Sequence, residues 1–223
     1  MTSDPSEADI KGSVQADNWL VVGWFTPDYR ALAENFAANL EVYRTPFHLF
    51  SKSKSEKGWN TWRKPSVVLE AMSVYPDKTI VLMDVDCILN GDIAPLTGIG
   101  GDVGIRVNAR RARLLWPMHK RVVLKATSQV AVFHPTEGAK RFASEWERQC
   151  AQTHYSGDEA AMLQAFLTVP GVAFTQIGRP AMVDHESAHA DRKPRTLKER
   201  LKAIERRFRT GRTQAAKEAG LGR

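Results

Sequence analysis

Apolar residues along this chain gather in short unbroken runs, separated by stretches where they recur every three or four positions. The first run, Trp19-Leu20-Val21-Val22-Gly23-Trp24-Phe25, reads as a strand buried on both faces, because a half-exposed strand would alternate apolar with polar residues. Thr26-Pro27 follows at once and reads as an N-cap with proline at the first helical position. Ala31, Leu32, Phe36, Leu40 and Tyr43 then keep helical spacing. A strand entering a helix through so short a turn is the opening half of a βαβ unit. Phe47-His48-Leu49-Phe50 is a second strand, Ser51 to Asn60 a polar loop, and Pro65 starts a helix with Val67, Val68, Ala71, Met72 and Tyr75 on its inner face. Pro76 ends that helix, and Thr79-Ile80-Val81-Leu82-Met83 forms a third buried strand, parallel to its neighbours.

Beyond this strand the pattern loosens. Asn90 to Gly101 is a loop rich in Gly, Asp and Pro, and Asp102 to Val107 a strand. Asn108 to Lys125 is basic and irregular, a segment expected to cover a site rather than fill a core. Gln129 to Phe133 is a further strand, and Pro135 opens a helix with Ala139, Phe142, Ala143, Trp146 and Cys150 on one face. Ser156-Gly157-Asp158-Glu159 matches a Ser-x-x-Glu capping box ahead of a helix over Ala160 to Leu167. Val172-Ala173-Phe174 and Ala181-Met182-Val183 are expected as final short strands. From Leu197 to Arg209 a basic helix carries one apolar stripe, Leu197, Leu201, Ile204 and Phe208.

Composition adds bounds. A chain of 223 residues with 43% hydrophobic and 26% charged residues suits one sizeable core. Met1 to Asp17 is polar, lacks signal-peptide features and is expected to be disordered; 18–190 form the catalytic domain, and 191–223 a basic amphipathic tail. The two cysteines, Cys87 and Cys150, lie in buried segments and give no disulfide framework, so the cytoplasm is the expected compartment. The net charge of +7 belongs to the tail. Residues 191–223 hold 12 Lys/Arg against 4 Asp/Glu, while the preceding 190 residues hold 20 against 21. Such a tail suits peripheral contact with an anionic membrane, or a partner helix. Nucleic acid is disfavoured because aromatics are not interleaved with the basic residues there, apart from Phe208.

The chemistry starts where the third strand stops. In an open α/β sheet ligands collect at the carboxyl ends of strands, and this strand ends in Asp84-Val85-Asp86. Two carboxylates crowded there repel one another and call for a cation, a proton or a basic partner. A hard divalent ion, Mg²⁺ or Mn²⁺, carrying a polyphosphate answers that most economically. Arg63 and Lys64 stand just ahead of a helix, where the macrodipole disfavours cations unless an anion lies nearby; contact with a nucleotide or diphosphate is one reading, a solvated basic pair the other.

The Asp-x-Asp after a buried strand and the helix opening Trp62-Arg63-Lys64-Pro65 resemble the GT-A class of nucleotide-sugar glycosyltransferases, especially its glycogenin-like and bacterial members. Three later stretches share the resemblance: Ala126 to Thr136 with Trp146 beyond, Asp158-Glu159 at a helix start, and His185-Glu186-Ser187. The resemblance implies a single α/β domain with a mixed, mainly parallel sheet flanked by helices. It implies Asp86 as direct metal ligand, Asp84 bound to the metal through water or to the ribose, and a late histidine, His185 with His189 as rival, as third ligand. Phe25, Thr26 and Tyr29 occupy the place that binds base and ribose. Asp158 resembles the acid these enzymes set beneath the sugar, although a helix start also favours an acid there.

The function so implied is transfer of a sugar from a nucleotide-diphosphate donor, UDP-sugar first among them, to a glycan, lipid or protein acceptor. The pair also fits a haloacid-dehalogenase-like phosphatase using Asp84 and Asp86. That family carries its motif near the chain start, and it needs a later acid pair that is not evident here. An EF-hand is excluded, since its third ligand position is Ile88. A non-catalytic binder of anionic surfaces through the tail is the remaining alternative.

Overall fold

A computed structural model describes residues 8–13, 18–54, 60–112, 121–152, 157–178 and 183–184. Nine strands and four α-helices are described: β1 (Ile10–Lys11), β2 (Trp19–Phe25), α1 (Arg30–Val42), β3 (Phe47–Ser51), α2 (Lys64–Val74), β4 (Thr79–Met83), β5 (Ile88–Leu89), β6 (Val103–Ala112), β7 (Arg121–Phe133), α3 (Glu137–Ala151), α4 (Asp158–Thr168), β8 (Phe174–Gln176) and β9 (Val183–Asp184). Seven strands form one sheet in the order β1-β3-β2-β4-β7-β6-β8, and β5 pairs with β9. The sheet is mixed. β3, β2, β4, β6 and β8 run one way, β1 and β7 the other.

The unbroken apolar runs have the expected cause, since β2 and β4 are covered on both faces. Alternate residues Leu20, Val22, Ile80 and Leu82 pack with Phe142 and Trp146 of α3, while Val21, Val81 and Met83 pack with Phe36 and Leu40 of α1. Gly23 serves this close approach. A Cβ there would lie 3.0 Å from both the Met83 carbonyl and a Leu49 methyl.

The structure departs from the sequence reading at the β6–β7 segment and at the start of α1, and other expectations fall on residues it does not describe. Asn108 to Lys125 is not irregular where it is described. β6 and β7 continue as a two-stranded ribbon, with Asn108 opposite Lys125 and Ala112 opposite Arg121. Val103, Ile105, Val107 and Ala109 had supplied a period-two pattern that the clustered arginines obscure. At α4 the N-cap is Gly157, and it makes no side-chain cap bond. Glu159 pairs with Lys125 at 2.8 Å, and Ser156, the other half of the expected capping box, lies outside the described residues. Thr26 precedes a 3-10 turn, Pro27–Tyr29, rather than α1 itself. Its hydroxyl donates to the Asp28 carboxylate at 2.6 Å. The basic helix of 191–223 lies outside the described residues, among which no helix is long and apolar enough to cross a membrane.

Part of the segment expected to lack structure is tied to the sheet. β1 pairs antiparallel with β3, and Asp9 beside it accepts the Ser51 amide at 2.8 Å and the His48 Nε2–H at 2.8 Å. Since the Asp9 carboxylate takes the proton of Nε2, Nδ1 is left to accept the Tyr75 hydroxyl at 3.1 Å. Burial lowers the His48 pKa, and the Ser51 and His48 hydrogen bonds hold Asp9 low against its own burial. Both folded-state pKa values lie below their unfolded ones, so this network is complete at neutral pH and weakens as pH falls. Asp9→Ala is expected to cost about 1 kcal/mol at pH 7. Urea unfolding should show that cost shrinking towards pH 4.

Candidate active site

The strand that buries Thr79 to Met83 ends because Asp84 cannot share that environment alone. The Asp84 amide still donates to the Gln129 carbonyl on β7 (3.1 Å), and the Cys87 amide closes a turn onto the Asp84 carbonyl (3.0 Å). Val85 and Cys87 are buried in the α1-side core, which pins the turn and leaves Asp84 and Asp86 at the alternate positions. Burial and the two carboxylates push the Cys87 thiol well above its ordinary value, so it is no nucleophile.

Lys64 is the first residue of α2 and only 4% exposed. Its ammonium reaches the Asp84 carboxylate at 2.7 and 3.0 Å, the Ser128 hydroxyl of β7 at 3.0 Å and the Asp158 carboxylate at 3.3 Å. Asp158, first residue of α4 and also 4% exposed, accepts a short hydrogen bond from the Ser128 hydroxyl. Its carbonyl accepts the Trp146 indole N–H at 3.0 Å. Two helix starts and two strands thus meet at one ammonium, and its three donors are matched by three oxygen-bearing partners.

Burial alone would depress Lys64, but Asp84 and Asp158 outweigh it and hold the ammonium above its usual pKa. Burial is the largest influence on Asp84 and carries its carboxyl up to about 6; Lys64 pulls it back down, and Asp86 and Asp158 push it up. Asp84 and Asp158 thus share the Lys64 ammonium, and Asp86 stands on the same cleft wall as Asp84.

Asp84, Val85 and Asp86 form one wall of an open cleft of about 220 Å³. Lys64, Asn60 and Thr61 form a second wall. Trp24, Phe25, Thr26, Tyr29 and Leu32, from the end of β2 and the start of α1, form the third. The structure so brings together Phe25, Thr26, Tyr29, Lys64, Asp84 and Asp86. Asp158 stands behind Lys64, off the cleft wall. His185 and His189 lie outside the described residues, but β9 ends at Asp184, opposite Ile88 and two residues past Asp86. Among the described residues no group of three or more His, Cys, Asp or Glu is placed to hold a metal ion. Asp84 and Asp86 supply two carboxylates on one wall, a donor set that suits Mg²⁺ or Mn²⁺ sharing its remaining positions with phosphate oxygens and water.

Sequence reasoning did not single out Ser128 as a site residue, although a Ser-Gln pair inside the apolar strand Arg121–Phe133 is a polar interruption that needs a partner. Trp146 was placed on the inner face of α3, but nothing in its spacing reveals where the indole N–H points.

No protein-family model matches the chain, and no curated protein matches it by sequence. Solved structures do. A glycosyltransferase involved in the glycosylation of the major capsid of PBCV-1 superposes with a TM-score of 0.51 at 11% identity, covering 71% of this chain and 80% of that one. The galactosyltransferase LgtC, solved with donor and acceptor sugar analogues, gives 0.42 at 13% identity over 66% and 69%. GlyE of Streptococcus pneumoniae TIGR4 gives 0.40 at 12% identity, over 72% of this chain and 46% of that one. The chain has the mixed α/β fold of GT-A-type glycosyltransferases.

Proposed function

We propose that this protein is a nucleotide-sugar-dependent glycosyltransferase. The observation that carries the reading is one cleft at the carboxyl edge of the sheet, lined by Asp84, Asp86 and Lys64 on one side and by aromatic residues from the end of β2 on the other. In this reading Trp24, Phe25 and Tyr29 take the base and ribose, with UDP-sugar as donor, and the diphosphate lies towards Asp84 and Asp86. Those two residues, with His185 from beyond β9, would hold Mg²⁺ or Mn²⁺. Bound there, the ion supplies Lewis-acid stabilisation of the charge that builds on the leaving diphosphate.

The remaining work belongs to the chain. Lys64 fixes the rotamer of Asp84 and adds positive charge beside the diphosphate. Asp158 would serve the sugar or the acceptor hydroxyl, its carboxylate oriented by Lys64 and Ser128. The acceptor is a glycan, lipid or protein. The fold does not favour the phosphatase alternative.

Calorimetry with a panel of UDP-sugars, with and without Mn²⁺, tests the proposal. A UDP-sugar should bind in the presence of Mn²⁺, and Asp86→Ala should weaken that binding by about 100-fold, the upper range for disturbed metal sites. Binding indifferent to Mn²⁺, or unchanged in Asp86→Ala, would refute it.

A further inference from the structure

β6 runs parallel to β2 and β4, so its second half overhangs the sheet edge on which Asp84 and Asp86 stand. The last β4 contact with β7 is the Asp84 amide on the Gln129 carbonyl, and β8 leaves β6 at Ile105. Beyond those points Val107–Ala112 and Arg121–Ala126 pair with each other, with the Gln176 side chain still bonded to the amide and carbonyl of Val107, and form a ribbon reaching about 20 Å past the edge at roughly 3.4 Å per residue. Its base touches the site. Ser128 binds Lys64 and Asp158, and three residues earlier on the same strand Lys125 pairs with Glu159, the neighbour of Asp158.

Charge is segregated onto this ribbon. β6 and β7 contain five Lys/Arg and no Asp or Glu, whereas the rest of the chain before position 191 contains 15 Lys/Arg against 21 Asp/Glu. A cationic arm thus extends past the same sheet edge on which the acidic pair stands. Strands 107–112 and 121–126 contain no aromatic residue, so nothing there stacks on a nucleobase. Among the side chains described on these strands Leu124 is the exposed large apolar one, where insertion into a membrane surface needs a broad apolar face. Arg106, Asn108, Lys125 and Thr127, paired across the two strands and none of them buried, offer charge together with amide and hydroxyl groups. That mixture matches an acidic, hydroxyl-rich chain.

We infer that the β6–β7 ribbon is an acceptor-binding arm that selects an acidic glycan, bearing carboxylate or phosphate groups, and leads it to the cleft. The inference rests on the glycosyltransferase reading for the word acceptor; binding of the acidic glycan does not depend on it. The electrostatic part of such binding falls as salt rises.

Fluorescence anisotropy on the full chain tests it with two labelled probes, oligogalacturonate for carboxylates and a short glycerol-phosphate polymer for phosphates. A malto-oligosaccharide, phosphatidylglycerol vesicles and a single-stranded DNA oligomer serve as comparisons. At least one acidic glycan probe should bind at 50 mM NaCl and be released at 300 mM, and which one binds identifies the anionic group. R110Q/R121Q should weaken it roughly tenfold, while R110K/R121K should stay within about twofold of the parent chain, as expected for the loss or retention of two charges that pair with an acidic ligand. Both variants should keep Mn²⁺-dependent UDP-sugar binding, which also reports that they fold. Equal glycan binding by R110Q/R121Q and the parent, equal binding of the neutral oligosaccharide, or tighter binding of vesicles or DNA would each overturn the inference. If no variant and not the parent binds UDP-sugar, yet acidic glycan still depends on the arginines, the catalytic reading fails and the ribbon site stands.

Discussion

Lys64→Met should unfold more easily at pH 8 by about 3 kcal/mol and lose donor turnover by at least about 100-fold. The stability figure comes from removing one partner of a buried charge group, which strands the other charges and costs about 3–5 kcal/mol. The low end applies because the Asp84 side chain keeps 23% of its surface exposed. The pH dependence has a definite sign. Asp84 already lies at about 6 with the lysine present, above the roughly 3.9 of an unfolded aspartate, and deleting the cation moves it higher. A carboxyl raised in the folded state binds more protons there than when unfolded, so folding is favoured at low pH and loses stability as pH rises through the folded pKa. The deficit of Lys64→Met should therefore be small at pH 5 and full at pH 8. Adding Asp84→Asn should recover part of the pH 8 loss, because it removes a stranded charge, without restoring turnover. Urea melts at the two pH values decide the matter: an equal deficit at both would mean that lost packing, not stranded charge, causes it.

Lys64 also shows what the sequence could and could not convey. A cation at the start of a helix is out of place against the macrodipole, and the sequence flagged it as needing an anion. The anions are within the chain. Asp84 lies 20 residues away and Asp158 much further, and only β4, β7 and α4 bring them together. Elements were legible where one physical signal dominated: the runs of β2 and β4 have one reading because both faces are covered. They were misread where two signals competed. Five basic residues masked the alternation of β6 and β7, and the Ser-x-x-Glu match gave no sign that Asp158 turns to Lys64 and Glu159 to Lys125. The paired acids of the site could be read because their chemistry is local. Ser128 could not, because its role exists only once β7 lies beside α2 and α4.

Trp146 carries the last large effect, and it reaches the site through Asp158. The indole is fully buried against β4 and β7 residues in the larger core cluster, and its N–H donates to the Asp158 carbonyl. Trp146→Ala should cost about 3–5 kcal/mol, the usual range for emptying an aromatic site in a core. Trp146→Phe fills most of that space and should cost only about 1–2 kcal/mol, chiefly for the hydrogen bond and a small void. The conservative variant is the more informative one. Its lost bond sits on the residue whose carboxylate holds Lys64 and Ser128, and Lys64 in turn holds Asp84. A shift of that start of α4 by a fraction of an ångström is passed along three oxygen partners to the cleft wall, so turnover of the folded variant should fall about tenfold, more than a loss of about 1–2 kcal/mol in urea stability would itself remove, as misplacement far from the chemistry commonly does. If Trp146→Phe turns over donor like the parent chain, α4 is held by packing alone and the indole bond has no part in positioning Asp158.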